Sequence, residues 1–182
     1  MKVFVDLFNG DEVLSDALLP NLEYNNSIYT VKSKYVPLEE GNVDIGCGNA
    51  FGGAEDDDTN PDPNVPKVNN IIHNFSLEEY YCSKADFKDL IKESVGKVKE
   101  ILKDKPDRLK EWEKGGAVAT FLGNVYKNFE NEDWDLKIYM GKTYGNSSDP
   151  KESMIIVSYW VDGSDSGETF HFFKDCLREV KC

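Results

Sequence analysis

The segment from residue 83 to residue 129 constrains the fold most, because apolar side chains recur through it at helical spacing. Ser83 is a good N-terminal cap, and the apolar repeat behind it continues through Lys103. Pro106 ends this first helix and starts a second, since proline is favoured in the first turn of a helix. Three glycines weaken the second helix or let another backbone come close: Gly115, Gly116 and Gly123. The sequence therefore predicts a helical hairpin over residues 83–129.

Short runs of β-branched and aromatic residues lie on both sides of this hairpin. Asn, Gly and Pro close them off, which is typical of β-strands. The predicted strands cover residues 3–7, 27–36, 43–45, 68–75, 136–140, 154–161 and 169–173. The continuous apolar run in 154–161 indicates a central strand covered on both faces. Strands, then helices, then strands favour an α+β domain over a doubly wound one.

The chain of 182 residues is predicted to form a single domain over residues 1–182, with 40% hydrophobic residues to build its core. Residues 46–66 differ from the rest, because they are rich in Gly, Asp, Asn and Pro. Such a segment buries too little apolar surface to offset the entropy lost on ordering. We expect a long mobile acidic loop there.

Charge is unevenly distributed along the sequence. The net charge of −13 argues against nucleic acid as a partner, because an acidic surface repels a phosphate backbone. Residues 84–129 carry 11 Lys or Arg against 8 Asp or Glu, a net charge of +3, which leaves −16 for the rest of the chain. The hairpin is predicted to be a basic arm on an acidic body.

Lysines form a stripe along the first helix of the hairpin. At about 100° per residue, five of them fall within an arc of roughly 100° that borders the apolar stripe. They are Lys84, Lys88, Lys92, Lys99 and Lys103. One interpretation is a solvated face with i,i+4 ion pairs. The other is a docking surface for an acidic protein such as a tubulin tail, to which we assign Lys88, Lys92, Lys99 and Lys103.

The acidic loop contains the early ligand spacing of an EF-hand calcium site. Oxygen donors alternate at Asp56, Asp58, Asn60 and Asp62. The match then fails, because Pro61 stands where the loop needs glycine and Lys67 stands where it needs a bidentate carboxylate. The alternatives are a weak, irregular calcium site and a solvated acidic loop.

Other motifs point away from catalysis and secretion. Cys47, Cys82, Cys176 and Cys182 are scattered without zinc-ligand spacing and are interpreted as reduced cytosolic thiols. The two histidines, His73 and His171, are interpreted as structural, since no nucleophile or zinc motif accompanies them. The N-terminus lacks a signal-peptide core, and no apolar run is long enough for a membrane span. We predict a cytoplasmic protein that is not an enzyme.

Four separated segments resemble the translationally controlled tumour protein family. They are DLFNGDEVLSD at residues 6–16, IGCGNA at 45–50, SYWVDG at 158–163 and FFKDCLREVKC at 172–182. The resemblance implies a β-tent (Mss4-like) fold with a projecting helical hairpin. It also implies calcium binding, microtubule association through the hairpin, contact with small GTPases, and roles in growth and survival. It places Glu12 and Asn49 at the GTPase contact and links Cys182 to dimerisation of an otherwise monomeric protein.

The sequence departs from the family pattern in two places. Gly141 is followed by Lys142, where the family has glutamate, and Phe51 replaces a small polar residue. The first change reverses a charge and therefore bears on any calcium or GTPase contact there. Two alternative functions stay open at this point. One is a leaderless secreted cytokine-like dimer linked through Cys182, and the other is an enzyme whose pocket uses a carboxylate such as Glu12.

Overall fold

Antiparallel sheets and a helical segment make up the computed structural model, which describes residues 1–38, 65–161 and 166–182. The strands are β1 Lys2–Asp6, β2 Glu12–Ser15, β3 Asn21–Glu23, β4 Ile28–Lys32, β5 Tyr35–Pro37, β6 Lys67–Asn69, β7 Glu78–Tyr80, β8 Lys137–Met140, β9 Ile156–Tyr159, β10 Thr169–Phe173 and β11 Leu177–Lys181. The helices are α1 Asn70–Phe75, α2 Lys84–Ile101, α3 Pro106–Trp112, α4 Ala117–Lys127 and α5 Lys142–Ser147. Short 3₁₀ turns lie at Asp16–Leu18, Pro150–Glu152 and Lys174–Cys176. This arrangement confirms the predicted α+β class.

Six strands form the main sheet in the order β3-β4-β10-β9-β8-β7. A three-stranded sheet has the order β11-β1-β2, and β5 pairs with β6. In the main sheet Thr169 lies opposite Tyr159 on one side and Lys32 on the other. Every residue of β9 is buried, which confirms the prediction of a central covered strand in residues 154–161.

The helical segment begins as predicted. The Ser83 hydroxyl caps α2 by accepting a hydrogen bond from the Asp86 N–H at 3.1 Å, and Pro106 starts α3. The predicted second helix, however, is two helices. Gly115 has φ +89°, and a Cβ at Gly116 would overlap backbone carbonyl oxygens of α3. The chain therefore turns sharply between α3 and α4, and only glycines fit there.

Two strand predictions were wrong in part. Residues 68–75 contain the end of β6 and then α1, because the Asn69 side chain accepts hydrogen bonds from the N–H groups of Ile71 and Ile72 and so caps a helix. Residues 27–36 form two strands in separate sheets. The break comes at Ser33, whose N–H and hydroxyl both donate to the Glu168 carbonyl oxygen, at 3.0 and 2.6 Å. The predicted turn region after residue 140 holds the short helix α5.

The hairpin contributes buried side chains to the core along its whole length, from Phe87 near its start to Val125 near its end. Trp112 and Phe121 contact Phe173 of β10, with ring centroids 5.5 and 5.9 Å apart. Phe121 also lies 5.1 Å from the ring of His171. One face of the hairpin therefore belongs to the core. None of the helices in the described ranges has the length and apolar character that a membrane crossing needs. The predicted strand at 43–45 and all but the last two residues of the predicted mobile loop lie outside the described residues.

Candidate functional site

An open groove of about 520 Å³ runs between α2 and α4, with α3 at its end. Apolar side chains form most of its lining, including Ile91 and Val95 from α2 and Leu122 from α4. Trp112 and Tyr126 add aromatic surface. Protein-binding helices often present a groove of this kind, in which apolar anchors are surrounded by polar groups.

Three of the four lysines assigned to microtubule binding line this groove. Lys88, Lys92 and Lys99 are exposed along its α2 side. Lys103 does not line the groove and instead pairs with Glu100 at 3.1 Å. Among the ion pairs of the described residues, none involves the three groove lysines. This arrangement differs from a face of mutually neutralising i,i+4 pairs.

The opposite side of α2 is attached to the body of the protein. The Lys97 ammonium lies 4.5 Å above the Phe8 ring and donates to the Lys151 carbonyl oxygen. Lys151 in turn pairs with Glu93 at 3.4 Å. These contacts fix which face of α2 the groove lysines occupy. The basic edge therefore points away from the body.

Two glycines widen the groove. Gly96 of α2 and Gly123 of α4 both line it, and a Cβ built on either would meet nothing within 4 Å. Both lie within helices, where glycine destabilises relative to alanine. No close packing contact requires glycine at these two positions. Their lack of a side chain leaves the space between the helices open.

Replacing Gly123 with Ala is expected to raise the free energy of unfolding by about 0.5–1 kcal/mol, because alanine restricts the unfolded chain and meets open space. Chemical denaturation of the purified protein measures the change. Gly116→Ala is the control, and it should destabilise, since its Cβ would overlap the carbonyl oxygens of α3. A destabilised Gly123→Ala protein would mean that the groove is closed in solution.

A second candidate surface surrounds Glu12, which lies exposed at the start of β2. Its neighbour Asp11 is buried and accepts hydrogen bonds from the Thr143 N–H at 2.8 Å and the Thr143 hydroxyl at 2.6 Å. Gly141 packs so closely on Asp11 that a side chain there would overlap the carboxylate. We call the hydrogen-bonded pair Asp11 and Thr143 the Asp11–Thr143 clamp. Glu12 follows Asp11 and Lys142 precedes Thr143 in the sequence, so Lys142, where the family has glutamate, lies close to the GTPase contact that the resemblance implies.

The buried carboxylate of Asp6 was not identified from the sequence. Its two oxygens accept hydrogen bonds from the N–H groups of Phe8 and Met154, both at 2.8 Å. Burial raises the pKa of Asp6 to about 6, against the opposing effect of these hydrogen bonds. Phe8 is close to Asp6 in the sequence, but Met154 is 148 residues away. No short sequence motif could therefore have predicted this site.

The remaining assigned residues are not brought to either surface by the described structure. Asn49 and the proposed calcium ligands Asp56, Asp58, Asn60 and Asp62 lie outside the described residues. Within the described ranges, no three His, Cys, Asp or Glu side chains are grouped so that they could hold a metal ion. Cys182 is exposed after β11, with its N–H donating to the Met1 carbonyl oxygen at 3.1 Å. Cys82 and Cys176 are free thiols, as predicted, whereas Cys182 is disulfide-bonded, so the interpretation of the cysteines as reduced thiols was wrong for this residue.

His171 and His73 occupy contrasting environments. His171 is buried in β10, and its Nδ1 lies 3.0 Å from the Val157 carbonyl oxygen, which identifies Nδ1 as the protonated nitrogen. Burial lowers the pKa of His171 to about 4, so its ring is neutral at pH 7. His73 is exposed and lies in α1, where the sequence had predicted a strand.

The whole chain is similar to proteins of one family. The family profile described as "Translationally controlled tumour protein" matches residues 1–178. A translationally controlled tumour protein homologue of Yarrowia lipolytica is 30% identical over 182 residues, covering 100% of this chain and 99% of that protein. The homologue of Candida glabrata is 32% identical over 165 residues, with 90% of each chain covered.

Solved structures agree with this assignment. The translationally controlled tumour-associated protein of Schizosaccharomyces pombe superposes with a TM-score of 0.73 at 26% identity, covering 100% of both chains. The structure from Caenorhabditis elegans has a TM-score of 0.67 at 24% identity and covers 99% of that chain, which supports the fold. This chain belongs to the translationally controlled tumour protein family.

Proposed function

We propose that this protein acts by binding other proteins, and that the groove between α2 and α4 docks an acidic segment of the kind found in tubulin tails. The observation that supports this proposal is the row of three exposed lysines along an open apolar groove, none of which has an ion-pair partner within residues 1–38, 65–161 and 166–182. Unpaired lysines can contribute their full charge to a partner, while the apolar lining supplies buried area.

The charge distribution supports an acidic partner for this surface specifically. The helical segment carries a net +3, whereas the remainder of the chain carries −16. An acidic partner is attracted by the arm and repelled by the body, which orients the encounter. Because the interaction depends on exposed charges, binding should weaken as salt concentration rises.

Replacing Lys88, Lys92 and Lys99 with Glu is expected to abolish co-sedimentation with microtubules, because the edge of the groove would then repel acidic tails. The matched control reverses the same number of charges on the hairpin outside the groove, at Lys105, Lys110 and Lys114, all exposed. That control should retain most of the binding. Equal pelleting by the groove variant and the unmodified protein would refute the proposal.

We also propose a small-GTPase contact that includes Glu12, with Asn49 as its second residue. The support is the exposed position of Glu12 beside the rigid Asp11–Thr143 clamp, together with the family resemblance. Lys142 lies next to this clamp, so the partner should tolerate or prefer a basic group there. Glu12→Lys should lose GTPase binding in a pull-down while microtubule binding is retained, and loss of both would point to unfolding.

Calcium binding through Asp56, Asp58, Asn60 and Asp62 remains a proposal that rests on sequence spacing alone. Four oxygen donors without a closing bidentate carboxylate favour modest affinity. NMR titration with calcium tests this directly, because the residues whose signals shift identify the ligands. An absence of shifts at millimolar calcium would leave the protein-binding role on its own.

A further inference from the structure

One face of the main sheet is covered by the helices at one end only. Phe121 packs on Phe173 and His171, which both point to this face of β10. Toward Thr169 at the other end of the same strand, the face opens into a concavity of about 390 Å³. This volume is within the range of small-molecule sites.

The strand register brings the residues of this concavity together. Thr169 lies opposite Lys32 and Tyr159, and His171 lies opposite Thr30, so alternate residues of three strands share one face. Asn21 and Glu23 of the edge strand β3 continue the face. Three aromatic residues complete the walls, namely Tyr24, Trp134 and Trp160.

A column of stacked rings forms one side of the concavity. Trp134 stacks on Tyr159 at 4.2 Å, and Tyr159 stacks on His171 at 4.5 Å, each pair inclined by 17°. Both faces of Tyr159 are therefore covered, so this ring presents its edge to the concavity. Ring edges carry partial positive charge and favour contact with the π-face of another aromatic ring.

Tyr24 lies at another wall of the concavity and is held there by an unusual turn. Tyr24, Asn25 and Asn26 have φ of 55°, 55° and 60°, a left-handed run between β3 and β4. Asn tolerates this conformation, but Tyr does not favour it. Tyr24 keeps it through an edge-on contact with Phe121, with ring centroids 5.1 Å apart. Strain of this kind is often retained where it positions a side chain for binding.

The concavity contains a buried polar group without a partner. Thr169 lines the concavity and is 6% exposed, and its hydroxyl is inaccessible to solvent and has no hydrogen-bond partner among the described residues. An unsatisfied buried hydroxyl is costly. A rotation about χ1 of Thr169 that turns the hydroxyl into the concavity, where a ligand atom donates to it or accepts from it, would remove that cost.

The charges around the concavity favour an uncharged ligand. Glu23 and Lys32 contribute one charge of each sign, so they offset one another. His171 is neutral at pH 7, because burial lowers its pKa to about 4. The net charge of −13 on the whole chain disfavours phosphorylated compounds. A strongly cationic ligand would meet Lys32.

We propose that this concavity binds a small, flat, uncharged heteroaromatic compound of about the size of a nucleoside. Its ring would contact the aromatic walls, and a polar ring atom would hydrogen-bond to the Thr169 hydroxyl after that side chain rotates toward the concavity. This site lies at the Thr169 end of β10, away from the end that the helices cover. It shares no lining residue with the groove between α2 and α4.

The test titrates the full-length protein with two uncharged heteroaromatic probes, adenosine and N-acetyltryptophanamide, and with the cation choline. Binding is followed by two-dimensional NMR, using the indole N–H signals of Trp134 and Trp160. Saturable shifts of these signals by at least one heteroaromatic probe, with none by choline, are expected. No saturation by either probe up to about 10 mM, or saturation by choline alone, overturns the proposal.

Thr169→Val provides the decisive variant, because it removes the hydroxyl and keeps the shape of the side chain. Affinity for the bound probe should fall about fivefold to tenfold, as expected for one lost hydrogen bond. Ser158→Ala is the matched control, since Ser158 has the other buried unpartnered hydroxyl of the described residues but points to the opposite face of the sheet. Its affinity should not change. Equal affinity in the Thr169→Val protein and the unmodified protein would refute the assigned role of the hydroxyl.

Discussion

Replacing Asp175 with Ala is expected to lower the free energy of unfolding by about 2–4 kcal/mol, because it leaves the partly buried Arg108 guanidinium and the Trp112 indole N–H without their acceptor. Asp175 accepts hydrogen bonds from Arg108 Nε at 2.9 Å and from a terminal Arg108 nitrogen at 2.7 Å. The Trp112 indole N–H donates to the same carboxylate at 2.8 Å. The Asp175 side chain is only 7% exposed, so water cannot replace these contacts fully.

The Arg108–Asp175 ion pair joins two parts of the fold, so its loss should also have a local effect. Arg108 and Trp112 belong to α3, whereas Asp175 follows β10, so the carboxylate joins the helical segment to the main sheet. Arg108 also donates to the Ser27 hydroxyl at 2.9 Å. Loss of the carboxylate should therefore loosen the attachment of α3 to the main sheet, which would show as faster amide hydrogen exchange in α3 and α4.

Urea denaturation measures the stability change, and an exposed ion pair supplies the control. Lys2 and Glu179 lie 3.3 Å apart with side chains 44% and 50% exposed. Glu179→Ala should change stability by less than about 1 kcal/mol, because exposed pairs contribute little. A comparable effect of the Glu179 and Asp175 substitutions would show that burial is not what makes the Asp175 contacts important.

Local sequence patterns predicted the elements that are long or fully buried. Helix α2 was found because its apolar repeat continues for five turns behind a serine cap, and β9 because every one of its residues is buried. The short strands β2, β3, β7 and β11 were not predicted. In β11, for example, four of five residues are exposed, and the strand exists through pairing with β1 at the other end of the chain. Such pairing leaves no hydrophobic alternation to detect.

The two candidate sites differ in how far the sequence could predict them. The lysine stripe follows from helical spacing alone, so Lys88, Lys92 and Lys99 were assigned correctly to one side of α2. The groove beside them depends on how α4 packs against α2, which no local pattern reports. The sheet concavity combines Tyr24, Trp134 and Thr169, which are far apart in the sequence. It could be recognised only once the strand register was known.

Two buried groups should make opposite contributions to the pH dependence of stability. The pKa of Asp6 is raised to about 6 in the folded protein, so between about pH 4 and pH 6 the folded state binds more protons than the unfolded state. The contribution of Asp6 to stability is therefore greatest at low pH and is lost as pH rises through 6. His171 behaves in the opposite way, because its folded pKa is lowered to about 4. Its contribution is present above about pH 6.5 and is lost as pH falls toward 4.

Each shift of about two units corresponds to roughly 3 kcal/mol, so the two contributions should nearly cancel in the unmodified protein between pH 4 and 6.5. The variants Asp6→Asn and His171→Asn each remove one of them. Relative to the unmodified protein, Asp6→Asn should become more stable by about 3 kcal/mol as pH rises from 4 to 6.5, and His171→Asn less stable by a similar amount.

Both variants should be destabilised overall, since each disturbs a buried hydrogen bond. The prediction therefore concerns only how the stability difference from the unmodified protein changes with pH. Urea denaturation at several pH values measures it, and a difference from the unmodified protein that stays constant with pH in either variant would show that the group titrates near its ordinary pKa. Direct NMR titration of the Asp6 carboxyl and the His171 ring then assigns each slope to its residue.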